Sequence, residues 1–270
     1  MPPLRPLLGF YLPLALMSIT ALAALVVGAA FYWKRSGDRR ANLIYAALLV
    51  LGGLTQLHFL LDFTGTFTRH PNLQHWPLYY TLWLPVLLFF HVKLSLYPRY
   101  ELRWTDAKHV ALPLAQTLYF LAIWLVPDWQ RPGGRYFYSP FYGGLEQALY
   151  LLYWPLYLFF ARQYLRIRRR QLGRRSLPRL LWYLRKLIKG CLLFVIAYAI
   201  LSVADFLAFK YLAVNLHERW WYAGTQSLTF VVLLLWLTTY GIQLLIWGRT
   251  LLVGRGARAR VRGEESKKQG

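Results

Sequence analysis

Few side chains in this sequence can do chemistry inside an apolar segment, and most of them crowd toward segment ends. His58 and Asp62 lie four residues apart, which places an imidazole and a carboxylate on one face of a helix. Glu146 and Gln147 are adjacent, about one turn inside the end of another apolar stretch, and Gln226 sits in the same way in the last one. Asp205 is the deepest carboxylate, flanked by Val203, Ala204, Phe206 and Leu207. An ionisable group in an apolar span is costly and so marks a candidate binding position. These six residues are expected in the outer third of a bilayer, lining one outward-opening cavity for a polar ligand. The competing reading is structural: carboxylates near helix ends cap them, or pair with Lys210, Arg219 or His217. Gln56 and Gln116 lie deeper and are neutral, which suits hydrogen bonds between helices. Lys93, beside His91 near a segment end, is expected to snorkel to the headgroups.

Catalytic chemistry finds little support. The histidines His58, His70, His75, His91, His109 and His217 are scattered, and no apolar stretch carries two of them, so no metal site is expected. Cys191 is the single cysteine, which excludes an intrachain disulfide and a thiolate metal site. The last apolar stretch has no lysine for a retinal Schiff base. No glycine loop cradles phosphate; Gly52-Gly53 and Gly143-Gly144 read as packing or helix-start positions. Neither an enzyme nor a cofactor is expected.

The elements that position these residues follow from composition. Of 270 residues 57% are hydrophobic and 16% charged, against about 45–50% and about 25% in ordinary soluble domains. Such a chain has too little polar surface to be soluble and too much apolar surface to be disordered. A membrane-crossing helix needs about 20 mostly apolar residues. Seven stretches qualify, at about 7–33, 42–63, 77–97, 108–126, 142–165, 187–209 and 221–247. The first is too long for a secretory signal and its basic cluster follows it, so it is read as a retained span. Of the 32 lysines and arginines, 26 fall in the odd-numbered connections and the tail and six on the other side. By the positive-inside rule the N-terminus is outside and the C-terminus cytoplasmic. The expected fold is an all-α, seven-transmembrane helix bundle in the bacterial inner membrane, with a disordered basic tail over 249–270.

The basic side has its own pattern. Leu177, Leu180, Leu181, Leu184, Leu187 and Ile188 recur with helical period. That predicts an amphipathic helix that either lies in the interface or extends span six inward. Arg166, Arg168, Arg169, Arg170, Arg174, Arg175, Arg179, Arg185 and Lys186 surround it. Anionic lipid would gain about 1 kcal/mol per such residue; an acidic cytoplasmic signalling protein is the other expected partner. No DNA-reading fold fits a link of this length, so direct nucleic-acid binding is not expected.

Three stretches resemble the N-terminal seven-transmembrane region of bacterial membrane-bound AraC-type transcription regulators. The first contains Leu84-Pro85, Tyr97-Pro98, then Arg103-Trp104-Thr105-Asp106, His109 and Pro113. The second has Tyr153-Trp154, Tyr157 and, after a basic link, Leu181-Trp182-Tyr183-Leu184-Arg185; the third is Leu237-Thr238-Thr239-Tyr240-Gly241. The resemblance implies that the spans sense a signal. The family's cytoplasmic helix-turn-helix part is not present before the chain stops at Gly270, so the expectation is relay through a partner. The expected function is a non-enzymatic membrane sensor, with a small transporter or membrane-embedded biosynthetic enzyme as the alternative and a lipid- or partner-organising scaffold as the third.

Overall fold

A computed structural model describes residues 7–35, 37–70, 73, 76–126, 140–172, 179–214, 216, 222, 224–225 and 227–246. Among these the regular structure is entirely helical. The helices are α1 (Leu7–Trp33), α2 (Arg39–Phe63), the single turn α3 (Thr66–Arg69), α4 (Trp83–Leu96), a 3-10 helix (Trp104–His109), α5 (Ala111–Leu125), α6 (Pro140–Leu172), α7 (Arg179–Leu212) and α8 (Ser227–Ile246). Four segments, Phe10–Trp33, Arg39–Phe63, Leu180–Leu212 and Ser227–Ile246, are long and apolar enough to cross a membrane. α4 and α5, of 14 and 15 residues, are apolar but shorter.

Local chemistry explains most boundaries. Asp38 caps α2, its carboxylate accepting the N–H groups of Arg40 (2.9 Å) and Ala41 (3.4 Å). α4 begins six residues after the start expected at 77. The intervening backbone bonds to side chains instead of to itself: Tyr80 N–H donates to Thr55 Oγ1 and Leu82 N–H to Gln116 Oε1. α4 ends at Leu96 and α5 at Leu125, each with one residue left before a proline, which disfavours helical backbone in that residue. The start expected for span four is taken by the 3-10 helix. α6 runs seven residues past its expected end, through a stretch in which six of the seven residues are arginine, glutamine or leucine, good helix formers. α7 begins at Arg179 and absorbs the amphipathic stripe into one continuous helix, so the inward extension of span six is what forms.

α2 packs against α1 and α4, α4 against α6, and α6 against α7. α4 is the axis of the bundle, with twelve of its fourteen residues buried. A helix this apolar all round belongs at a centre. Close approach of its neighbours needs glycine at particular places. A Cβ on Gly190 of α7 would lie 2.3 Å from the Trp236 indole of α8, and one on Gly53 of α2 3.0 Å from Leu25 of α1.

Candidate functional site

The charged groups that the bundle builds into a buried arrangement lie at its basic end. Contacts from several elements identify that end: Lys34 Nζ donates to the Leu244 carbonyl, Arg40 donates to the carbonyls of Tyr100 and Pro98, Arg168 stacks over Tyr97, and Lys186 lies over Trp236. At its centre stands Lys93 of α4, only 4% exposed. Its ammonium is 3.1 Å from Asp106 Oδ1 and 3.8 Å from the centre of the Tyr100 ring, with Phe89, Phe90 and Tyr164 completing an aromatic box at 5.6–5.8 Å. Asp106 is held on its other oxygen by the Tyr100 hydroxyl (2.7 Å) and the Arg103 N–H (2.9 Å). Burial alone would raise the Asp106 pKa. The Arg103 N–H, the Tyr100 hydroxyl and the Lys93 ammonium outweigh it and hold the carboxyl below its usual range.

A second cluster lies beside the first. His91 Nδ1 is 3.0 Å from the Ala41 carbonyl, which makes Nδ1 the protonated nitrogen. The Tyr45 ring lies 4.4 Å from the His91 ring and 5.9 Å from Tyr240, and its hydroxyl donates to the Leu237 carbonyl at 2.6 Å. α2, α4 and α8 are thus joined through one tyrosine. His109 Nδ1 meets the Tyr157 hydroxyl at 2.9 Å, joining the 3-10 helix to α6. Lys34, at the edge of this region, is lowered to about 8 by burial.

The expected snorkelling of Lys93 is therefore corrected. It is held inward because Asp106, three residues into a capped turn, supplies an anion within reach. The clue in the sequence was Arg103-Trp104-Thr105-Asp106, an acid placed to bond the N–H three residues before it.

The residues expected in the outer third of a bilayer fare differently. His58 lies against Phe59, Phe67 and Tyr79, while Asp62, one turn on, is exposed. Asp205 accepts the Leu216 N–H at 3.1 Å, so its carboxylate holds the chain that follows α7. Gln147 is half-buried on α6. Glu146 falls within α6 but its side chain lies outside the described residues, as does Gln226 altogether. A narrow, mostly apolar cleft of about 10 Å³, room for about one water molecule, lies between α6, α7 and α8 and is lined by Tyr150, Phe194, Tyr198, Thr229, Phe230 and Leu233. It lies one turn from Gln147 on α6 and two turns from Asp205 on α7. Gln116 bridges helices as expected, donating to Thr81 and accepting from Leu82. Gln56 is fully buried, and neither of its amide atoms has a hydrogen-bond partner among the described residues.

Of the basic residues, Arg166, Arg169, Arg170, Arg185 and Lys186 are exposed, and Arg168 bonds Gln171. Arg179 opens α7, with its side chain outside the described residues, where Arg174 and Arg175 also lie.

Fold and site together define an all-helical protein with apolar helices of membrane-crossing length and a buried ionic cluster at its basic end. Compared with family models, curated proteins and solved structures, the chain matches none.

Proposed function

We propose that this chain is a non-enzymatic membrane signalling protein that crosses the bilayer seven times, N-terminus outside and C-terminus in the cytoplasm. It reads a ligand or membrane state in its outer half and passes it to a cytoplasmic partner through α6 and α7. The observation that carries this reading is the continuity of those two helices. α6 has 33 residues and α7 has 34, about 50 Å each, against about 30 Å of hydrocarbon. Both line the cleft at Tyr150 and Tyr198, and both run unbroken from there to the arginines at the basic end. A displacement at the cleft is therefore passed along both helices, in α6 through the flexible point at Pro155.

Gln147 lies one turn from that cleft and Asp205 two turns, so a ligand that opens the cleft and extends to the Asp205 carboxylate displaces the Leu216 N–H and favours a second arrangement of α7. Such a relay requires different affinity for the two arrangements. The Lys93–Asp106 pair sets the resting state from the other side, because Tyr164 of α6 forms one wall of the Lys93 box. The resemblance to the sensor half of membrane-bound AraC-type regulators supports the same reading.

The test uses a photocrosslinking residue at Ile167, and separately at Arg185, in living cells. The reading expects a defined cytoplasmic protein in the adduct, with a yield that changes in Asp205→Asn. Adducts to lipid alone, with a yield indifferent to Asp205, would refute it. A reporter fused after Gly270 checks the orientation.

A further inference from the structure

Three tryptophans at the basic end are turned outward instead of into the core: Trp33 is 73% exposed, Trp104 92% and Trp182 57%. Each has a cation beside it. Trp33 precedes Lys34 and Arg35, Trp104 follows Arg103, and Lys186 Nζ lies 5.3 Å over the Trp182 ring. The three come from different elements, at the end of α1, the start of the 3-10 helix and the first turn of α7. The contacts that gather these elements at one end therefore gather the tryptophans into a belt. Indole rings prefer the headgroup boundary, where one part is apolar and the other wet.

Charge at this level is unbalanced. Among the described residues the ion pairs are Arg40–Asp38 and Lys93–Asp106, and the exposed Arg166, Arg169, Arg170, Arg185 and Lys186 meet no carboxylate of those residues. Free guanidinium and ammonium groups beside exposed indoles, in a chain with such apolar helices, match a surface that is apolar on one side and phosphate on the other.

We propose that this belt binds the phosphate headgroups of anionic phospholipids in the leaflet at the basic end. The tryptophans set the depth and the neighbouring cations take the phosphates. Trp104 has a particular part. It opens the short 3-10 helix, and the Asp106 bonds to Arg103 N–H and Lys93 fix the turn that presents it. The proposal rests on the membrane-crossing reading given above and adds the ligand class of its basic face.

The experiment reconstitutes the full chain in phosphatidylcholine vesicles carrying a trace of spin-labelled phosphatidylglycerol or spin-labelled phosphatidylcholine. The motionally restricted fraction of each lipid is read by electron paramagnetic resonance. One cation near the surface corresponds to about a fivefold preference, so phosphatidylglycerol is expected to be restricted at least about fivefold more strongly. The preference should fall at least about fivefold when Arg166, Arg169, Arg170, Arg185 and Lys186, all exposed, are replaced together by Gln, and drop in Trp104→Ala. Equal restriction of the two lipids in the unaltered chain overturns the proposal, as does a preference unchanged by the combined substitution. Equal restriction together with retention of polyglutamate on the vesicles would assign the face to an acidic protein instead. Restriction of neither lipid, with release of the chain by carbonate, would remove the membrane-crossing reading as well, so the two failures are distinguishable.

Discussion

Replacing Asp106 with Asn tests the buried ionic cluster most directly. The substitution keeps the shape of the side chain and removes its charge, leaving the Lys93 ammonium in an aromatic box at 4% exposure without an anion. At 3.1 Å and an effective dielectric of about 20 the attraction lost is about 5 kcal/mol. Part of this was already offset by desolvation of both ions, and removing one partner of a buried pair typically costs about 3–5 kcal/mol. The double substitution Lys93→Met/Asp106→Leu removes both charges and should lie close to the unaltered protein or above it, since apolar replacement of a whole buried pair is often neutral or stabilising. Tyr100→Phe keeps the ring over Lys93 but loses the hydroxyl bond to the carboxylate, an intermediate loss of about 1.5–3 kcal/mol. Unfolding of the purified protein in mixed micelles by increasing dodecyl sulfate, followed by tryptophan fluorescence, supplies the three differences. The same assay against pH adds a check of sign. The Asp106 carboxyl is held below its usual range, so its stabilisation is complete above the unfolded value of about 4 and disappears as pH falls through the lower folded value. That acid-side loss should be missing in Asp106→Asn. A single-substitution effect below about 1 kcal/mol, or an unchanged acid limb, would mean that Lys93 reaches water and the pair is incidental.

Three further outcomes follow from particular contacts. Gly190→Ala places a methyl 2.3 Å from the Trp236 indole and should destabilise by about 1–3 kcal/mol in the same titration, with most of the loss recovered in Gly190→Ala/Trp236→Leu. Gln56→Leu removes a fully buried amide that has no partner among the described residues, and should stabilise by about 1 kcal/mol or more; destabilisation would show that the amide is satisfied. Lys34, lowered to about 8 by burial, should be acylated by an amine reagent with a midpoint near that pH, read by peptide mass spectrometry, while an ordinary lysine at about 10.4 titrates later.

The spans were legible because hydrocarbon thickness acts on composition, which survives any ignorance of packing. Residues 7–33 and 42–63 and the apolar parts of α7 and α8 needed only a count of apolar residues. The stripe from Leu177 to Ile188 gave its helix by period, but whether that helix lay flat or continued α7 turned on the next residues, where nothing interrupts helical backbone. The backbone of residues 76–82 was not legible, since its hydrogen bonds go to Thr55 and Gln116, far away in sequence.

The polar positions divide along the same line. A charge in an apolar stretch, as at Asp62, Glu146 or Asp205, is conspicuous in sequence, and conspicuousness measures cost without naming a partner. Asp205 turns out to hold the Leu216 N–H, an interaction over eleven residues that pattern reading can weigh but not locate. Lys93 was inconspicuous for the opposite reason: near a segment end it has a cheap alternative in the headgroups, and only the fold reveals that the alternative is not taken. A lysine with a short route to water stays buried when its anion is prepaid, and Asp106 arrives already oriented by the Arg103 N–H and the Tyr100 hydroxyl. Preorganisation by a capped turn thus decides between two states of Lys93 that side-chain reach leaves equal, which is why a four-residue local motif, and not the apolar pattern around Lys93, held the information about this site.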